Sequence, residues 1–190
     1  MLFRSGLPAD SAEPIDYANI LKKLNLPSLE LTQESQGGEE AKKYSMYSFS
    51  AHFAQVHVHP LTGQVRVKRL VAVVDAGKIV NHKTASSQMI GGAVGGIGMV
   101  LTEEAIFDNA FGRYVNGNFA DYHVPVNADV PDIEAIFIDK PDPIINPVGS
   151  KGLGEISLIG VAAAVANAVY NASGKRIREL PITPDKILMV

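Results

Sequence analysis

One acidic residue, Glu155, stands out because it ends the stretch SKGLGE and precedes a long apolar segment. A carboxylate at such a boundary can stabilise the first turn of the helix predicted over Ile156–Asn171, by roughly 0.3–1 kcal/mol. It can also act as a general base, since Gly149, Gly152 and Gly154 would let a bulky ligand come close. From the residues alone the first interpretation is favoured, because acids are common at helix starts.

A glycine-rich run, GGAVGGIG, is the second candidate. A dinucleotide-binding fingerprint needs a strand directly before it, and the preceding NHKTASSQM is not typical of a strand. A P-loop needs a Gly-Lys-Ser/Thr sequence, which the chain lacks. Close packing of a helix is therefore favoured for the glycines. Gln88, just before the run, is different, because its amide offers donors and acceptors to a polar ligand.

Two histidines, His57 and His59, share one face of a predicted strand and could bind a metal. Zinc usually takes three or four protein ligands, and no third ligand stands at a useful spacing. Exposed polar positions on a strand are the favoured interpretation. We therefore predict no metal-ligating side chain in this chain.

Composition narrows the classes of function. The chain has 190 residues, a net charge of −3 and no basic stripe, so nucleic acid is not an expected partner. It has no cysteine, which excludes disulfides, thiolate catalysis and cysteine-bound metal clusters within it. Charged residues make up 19%, which is low for a free-standing protein and predicts that part of the surface is covered.

Targeting and membrane signals are not expected. The apolar runs Gln88–Leu101 and Ile156–Val169 are shorter than the roughly 20 residues of a membrane span. The opening residues lack the apolar core of a signal peptide and look like the interior of a longer chain. We expect a cytoplasmic protein, with the periplasm as the alternative.

Periodicity predicts an α+β fold. Helical spacing indicates a helix near Asp16–Leu24, followed by a polar loop. Alternation in YSFSAHFAQVHV and QVRVKRLVAVVD, joined by PLTG, predicts a hairpin. A further strand follows in DIEAIFID, and an apolar C-terminal helix ends at Gly174. We predict two parts: residues 1–46 as helix and loop, and residues 47–190 as the main domain.

Three stretches resemble one family in the order in which they occur: HVHPLTGQVRVKRLVAVVDAGKIVNHKTASSQMIGGAVGGIGMVLTEE, NGNFADYHVPVNADVPDIEAIFID and SKGLGEISLIGVAAAVANAVYNASGKRIRELPITPDKIL. They are similar to the C-terminal part of the large molybdopterin-binding subunit of the molybdenum hydroxylases. This is the xanthine dehydrogenase/aldehyde oxidase family. The resemblance covers nearly everything from Tyr47 onward, and the family's full subunit is several times longer.

The resemblance implies roles for particular residues. Glu155 matches the family's general base, which takes a proton from a hydroxyl on molybdenum before attack on an electron-poor carbon of an aldehyde or N-heterocycle. Gln88 matches a glutamine beside the cofactor, although SQMIGG departs from the Gly-Gln-x-Glu-Gly of many relatives. The segment that wraps the pterin and the metal matches Ser150, Lys151, Gly152, Leu153 and Gly154.

The resemblance also implies partners. The cofactor is molybdopterin with molybdenum, and the remainder of the subunit completes its site. Iron–sulfur clusters and FAD are expected on other domains or subunits, and the substrate is a small molecule.

With the resemblance, the base interpretation of Glu155 is favoured over the helix-start interpretation, and we expect the chain to be inactive alone. The alternative is a non-catalytic assembly subunit, or a degenerate remnant of such an enzyme.

Overall fold

The computed structural model describes residues 16–32, 34 and 38–189. The chain divides into two compact units, Met1–Gly37 and Gly38–Val190. The opening stretch, in which no signal peptide is expected, lies outside the described residues. The predicted division after residue 46 stays a prediction.

The first unit contains the helix α1 (Tyr17–Leu24). Asp16 is its N-cap, and the Asp16 side chain accepts a hydrogen bond from the Ala18 backbone nitrogen at 3.3 Å. Asn25 ends the helix with a φ of 52°, a left-handed conformation that asparagine tolerates. The helix predicted near residues 16–24 is confirmed.

The second unit combines helices with two small sheets, so the predicted α+β class is confirmed. A one-turn helix occupies part of the predicted polar loop, and a further short helix lies beyond Gly174. In chain order the elements are α2 (Glu40–Lys43), β1 (Phe49–Val58), β2 (Val65–Asp75), α3 (His82–Leu101), β3 (Phe107–Asp108), β4 (Arg113–Tyr114), a 3-10 turn (Asn127–Asp129), β5 (Asp132–Phe137), α4 (Ile156–Ile159), α5 (Val161–Ser173) and α6 (Pro184–Met189).

The larger sheet has the strand order β1-β2-β5. β1 and β2 pair antiparallel, which confirms the predicted hairpin, and the register shifts between Gln55 and Val56. β5 pairs parallel to β2, so the chain between them must cross over, and α3 lies in that crossover. β3 and β4 form a separate two-stranded sheet.

The core lies between the larger sheet and the helices α3 and α5. Leu70, Ala72 and Val74 alternate along β2 and are fully buried, as period-two side-chain placement requires. Burying a side chain of this size typically contributes about 1.5–3 kcal/mol. The helices supply the other side of the core with Met89, Ala93, Ile97, Val100, Val161, Val165 and Val169.

The predicted single C-terminal helix is two helices. α4 ends at Ile159 and α5 begins at Val161, with Gly160 at the junction. His52 of β1 packs against this junction, where a Cβ on Gly160 would overlap the imidazole ring. The sequence pattern missed the break because glycine alone does not interrupt an apolar periodicity. Gly174 ends α5 with a φ of 72°, as predicted.

One stretch, Ile156–Ser173, is long and apolar enough to cross a membrane by length and composition alone. This is weak evidence, because the core helix of a soluble protein passes the same test. The fully buried positions of α5 are Val161, Val165 and Val169, so one face packs on the core. The expectation of no membrane span stays a prediction.

Candidate functional site

The loop before α4 is attached to the end of β2. Gly77 and Ser150 form an isolated antiparallel bridge, and the Lys151 backbone nitrogen donates to the Ala76 carbonyl at 2.8 Å. The Ser150 hydroxyl donates to the Lys78 carbonyl at 2.7 Å. The glycine-containing stretch from the sequence is therefore held against the segment that connects β2 to α3.

Asn146 shapes the turn that leads into this loop. Its side-chain oxygen accepts hydrogen bonds from the backbone nitrogens of Val148 at 3.1 Å and Gly149 at 2.8 Å. Its side-chain nitrogen donates to the Ser150 carbonyl at 2.7 Å. Sequence reasoning missed this residue. The signal was present, because asparagine before a proline and a glycine is typical of a turn held by an Asx side chain.

The opposite wall comes from α3. Gln88 lies in the second turn of that helix, its side chain is exposed, and its amide has no hydrogen-bond partner within residues 16–32, 34 and 38–189. The Gln88 carbonyl accepts a hydrogen bond from the Ser157 hydroxyl at 3.3 Å. The backbone at Gln88 is therefore linked to α4 while its side chain is available to a ligand.

Glycines bring α3 close to α4 and α5. A Cβ on Gly92 would overlap the Ser157 hydroxyl, and a Cβ on Gly96 would overlap the Val161 side chain. Gly91 faces open space. The interpretation of these glycines as positions of close helix packing therefore fits Gly92 and Gly96.

The two walls flank an open cavity of about 370 Å³. It is lined from one side by the connection between β2 and α3 and by the first turns of α3. The other side is the loop before α4. Five of the six residues predicted to bind a cofactor line it, although more than 60 residues of sequence separate the two groups: Gln88, Ser150, Lys151, Leu153 and Gly154.

Gly152 is the predicted residue that does not line the cavity. Its carbonyl accepts a hydrogen bond from the Ser48 hydroxyl. A Cβ on either Gly152 or Gly154 would meet nothing within 4 Å, so a ligand can approach the backbone there. The backbone nitrogens of Gly152, Leu153 and Gly154 donate to no acceptor in the part of the chain that the structure describes.

Glu155 directly follows Gly154 and does not line the cavity itself. It is the N-cap residue of α4, yet its side chain makes no capping hydrogen bond. The carboxylate is exposed and has neither a hydrogen bond nor an ion pair among the described residues. The helix-start interpretation, in which the carboxylate stabilises the first turn through the helix dipole, stays a prediction, because the structure shows only that no capping hydrogen bond is made.

Lys151 points its ammonium group away from solvent. The side chain is only 6% exposed, and the nitrogen lies 3.2 Å from Asp75 Oδ1 and 3.8 Å from Asp142 Oδ2. The Gly77 backbone N–H, and after it the Lys151 ammonium, hold the pKa of Asp75 below its usual value. The site thus contains a buried ammonium that is paired with two partly exposed carboxylates next to its glycine loop.

The segment between β2 and α3 is fixed by Asp139. Its carboxylate accepts a hydrogen bond from the Ile79 backbone nitrogen at 2.8 Å and lies 3.1 Å from His82 Nε2. The Ile79 N–H, followed by His82, lowers the pKa of Asp139. The carboxylate therefore stays ionised near neutral pH and orients this part of the cavity wall.

The other candidates from the sequence do not join this site. His57 is exposed on β1, and His59 accepts a hydrogen bond from the Thr62 backbone nitrogen in the hairpin turn. Across residues 16–32, 34 and 38–189 no three His, Cys, Asp or Glu side chains are placed to share a metal ion. A larger cavity of about 470 Å³ beside Tyr114, Phe119 and Tyr122 contains no predicted site residue.

The cavity fits a polar ligand that is bound through backbone as well as side chains. The Gln88 amide offers both donors and an acceptor, and unpaired N–H groups follow Lys151 on the facing loop. Gly152 and Gly154 have no side chain, so a ligand can reach the backbone of the loop at these two positions. These features suit a ligand that carries hydrogen-bond acceptors as well as donors.

A family model described as a molybdopterin cofactor-binding domain matches residues 11–131. That range includes Gln88 and ends before Glu155. The chain is 52% identical over 151 residues to the aldehyde oxidoreductase molybdenum-binding subunit PaoC of Escherichia coli (strain K12), covering 80% of this chain and 21% of that protein. It is 39% identical over 146 residues to the nicotine 6-hydroxylase large subunit of Paenarthrobacter nicotinovorans, covering 75% and 18%.

Solved structures agree in fold. The chain matches quinoline 2-oxidoreductase from Pseudomonas putida 86 with a TM-score of 0.66 and 35% identity, over 73% of this chain and 18% of that one. It matches the aldehyde oxidoreductase from Desulfovibrio desulfuricans ATCC 27774 with a TM-score of 0.67 and 31% identity, over 75% and 15%. The chain thus spans 21% or less of each protein named here.

Proposed function

Because the chain belongs to the xanthine dehydrogenase/aldehyde oxidase family of molybdenum hydroxylases, as part of the molybdopterin-binding subunit, we propose that it forms one wall of the cofactor site and carries the general base. The complete enzyme hydroxylates an aldehyde or an N-heterocycle with oxygen derived from water. The chain by itself binds no molybdenum and oxidises nothing, because it spans only 21% and 18% of the two relatives named above.

One observation carries the proposal. The fold brings Gln88 of α3 and the loop from Ser150 to Gly154 to a single cavity, and the next residue, Glu155, has a carboxylate without a partner among the described residues. Exposed polar side chains often bond only to water, so the informative feature is that this amide and this carboxylate lie beside the same cavity. A free donor–acceptor amide and a free carboxylate beside one cavity are typical of a functional site.

The chain's own residues would hold the cofactor from two sides. The Gln88 amide would hydrogen-bond the cofactor, and the backbone N–H groups of Leu153 and Gly154 in the cavity lining, with that of the adjacent Gly152, would donate to it. The glycines let the backbone come near, because no Cβ stands in the way. When bound, the molybdenum cofactor supplies the two-electron oxidation of the substrate.

Glu155 contributes the proton transfer. Its carboxylate oxygen accepts the proton released as the water-derived oxygen becomes a nucleophile. A positioned carboxylate typically contributes a factor of about 10²–10⁴ to the rate of such a step. The uncapped start of α4 leaves both carboxylate oxygens available for this role. Iron–sulfur clusters and FAD on other domains or subunits would accept the electrons.

The test is Glu155→Gln in the full-length holoenzyme, since glutamine keeps the shape and cannot accept the proton. We expect kcat to fall at least about 100-fold while molybdenum and pterin contents stay normal. Glu179→Gln is the matched control, because Glu179 is an exposed glutamate outside the cavity lining. If Glu155→Gln turned over as fast as Glu179→Gln, the assignment of the base would be wrong.

A second candidate is an assembly module without catalysis. It is favoured by large apolar side chains that the described part of the chain exposes, such as Phe53 at 62% and Ile159 at 72%. Such exposure is typical of a surface that another polypeptide covers. Purification of the chain with its partner polypeptides separates the two candidates. Molybdenum and pterin in the purified complex support the enzyme, and a stable complex that lacks both supports the module.

A further inference from the structure

The side chain of Lys151 is the buried charge nearest to Glu155 in the sequence. Its ammonium lies between Asp75, the last residue of β2, and Asp142, in the segment after β5. A buried ammonium is costly unless it is paired, so these contacts persist in the folded protein. The ion pairs therefore hold three separate segments of the chain together at one point.

The backbone is attached at the same point. The Lys151 nitrogen donates to the Ala76 carbonyl, and the neighbouring Ser150 bridges to Gly77. Asp75 also accepts a hydrogen bond from the Gly77 nitrogen at 3.1 Å, which orients its carboxylate. Lys151 is thus restrained through both its main chain and its side chain.

The backbone nitrogens of the three residues that follow donate no hydrogen bond among the described residues, and Leu153 is held by the packing of its side chain against the core. Gly152 and Gly154 are glycines in open space, and the Gly152 carbonyl accepts one hydrogen bond, from Ser48. Glycine has more backbone freedom than any other residue. A Gly-Leu-Gly segment can place the following Glu155 accurately only if both of its ends are fixed. α4 fixes one end, and Lys151 fixes the other.

We propose that Lys151 is a positioning residue whose ammonium, through Asp75 and Asp142, sets where Glu155 lies. This rests on the proposed function, because it assumes that Glu155 is the base. The resemblance places Lys151 among the cofactor contacts, whereas the geometry gives its ammonium to two carboxylates. The main chain of the segment forms the wall, and the Lys151 side chain holds that wall in place.

Variants of the full-length holoenzyme test this. Lys151→Met keeps the length of the side chain and removes the charge. We expect kcat to fall about 10- to 100-fold, the loss typical of a misplaced catalytic group, with molybdenum and pterin contents unchanged. Lys151→Arg should recover most of the loss. Asp75→Asn should lower kcat more than Asp142→Asn, because its carboxylate is nearer to the ammonium.

A double variant separates positioning from direct contact. If Lys151 acts through Glu155, adding Lys151→Met to Glu155→Gln should cause no further loss beyond about twofold. If kcat of the double variant fell by the product of the two single losses, the inference would be wrong. A lowered molybdenum or pterin content in Lys151→Met would also overturn it and indicate direct contact with the cofactor. Should Lys151→Met fail to fold, the Asp75→Asn and Asp142→Asn variants, combined with Glu155→Gln in the same way, decide the question.

The control is Lys186→Met. Lys186 is partly buried, and its ammonium donates to the Pro181 carbonyl at 2.9 Å, away from the cavity lining. This variant should lower the melting temperature without changing kcat. If it lowered kcat as much as Lys151→Met, the loss would reflect general destabilisation and the inference would fail. Full turnover in Glu155→Gln would instead refute the proposed function, whatever Lys151→Met does.

Discussion

Two helices begin beside the cavity, and they begin in different ways. The N-cap residue of α3 is Asn81, whose side-chain oxygen accepts hydrogen bonds from the backbone nitrogens of Lys83 at 3.0 Å and Thr84 at 3.2 Å. The N-cap residue of α4 is Glu155, whose side chain makes no such bond. One N-cap side chain is used by its helix, and the other is left available.

The difference shows how a helix can begin without its own cap. The start of α4 is held by neighbouring elements: the Ser50 hydroxyl donates to the Ile156 carbonyl at 3.3 Å, and the Ser157 hydroxyl donates to the Gln88 carbonyl. Such bonds each contribute about 0.5–1.5 kcal/mol net. Because packing and hydroxyl groups supply the stability, the carboxylate can serve chemistry.

The largest expected effect on stability comes from the close packing that holds the junction of α4 and α5. A Cβ on Gly96 would overlap the Cβ and both methyl groups of Val161, which cannot rotate out of the way. We expect Gly96→Ala to lower the free energy of unfolding by about 1–3 kcal/mol. Gly91→Ala, in open space on the same helix, should raise it by up to about 1 kcal/mol.

Denaturant unfolding of both glycine variants in the full-length protein is the measurement. The two variants should change the free energy of unfolding in opposite directions, although both replace a glycine of α3 with alanine. This contrast makes the test specific to the packing at Gly96. Equal stabilisation by both would show that α4 and α5 do not rest on α3 as described.

The next largest expected effect is a difference in stability between variants at the two N-cap residues, Asn81 of α3 and Glu155 of α4. Asn81→Ala should destabilise the protein by about 1 kcal/mol, because two backbone N–H groups lose their acceptor. Glu155→Ala should change stability by less than about 0.5 kcal/mol, because no capping bond is lost. Thermal unfolding of the two variants measures both. A loss in Glu155→Ala as large as that in Asn81→Ala would mean that the carboxylate does cap α4 in solution.

The smallest expected effect is a pH dependence at the far end of α4. Burial lowers the pKa of His52 below 6.5, although the hydrogen bond to the Ser157 backbone opposes the shift. Its Nε2 is buried and has no partner among the described residues. The unfolded chain therefore binds a proton more readily than the folded one, and stability is lost as the pH falls from 6.5 toward the lower folded pKa.

Melting temperatures between about pH 7.5 and about pH 5.5 test this. His52→Gln should flatten the dependence, and His57→Gln, on the exposed face of β1, should leave it as in the parent protein. An unchanged slope in His52→Gln would show that the imidazole does not stay neutral against Gly160.

Local patterns predicted much of the fold because they reflect local physics. The alternation through Val56 and Val58 predicted the hairpin, which the structure has, and α5 ends at Gly174 as predicted. The break at Gly160 was not predictable, because it depends on the His52 ring that packs there from β1. The pairing of β5 parallel to β2 also depends on tertiary contacts that no local pattern contains.

The candidate site shows the same division. The residue types and their spacing were enough to identify Gln88 and Glu155 as candidates. The sequence shows an amide before a glycine run and a carboxylate after a glycine-containing stretch. The resemblance ranked the base role of Glu155 above the capping role. The sequence contained no signal for the partners of Lys151, because Asp75 and Asp142 are distant in the chain.

By itself the sequence determined the longer elements, such as α1, the β1–β2 hairpin and the end of α5, because alternation, helical spacing and glycine stops act over a few residues. It also determined the family, through the order of its motifs. Only the tertiary structure decided that Gln88 and the loop before Glu155 share a cavity, and that the Glu155 carboxylate is uncapped. The physical reason is that side-chain partners are chosen by proximity in space, which the packing of α3 on α4 sets.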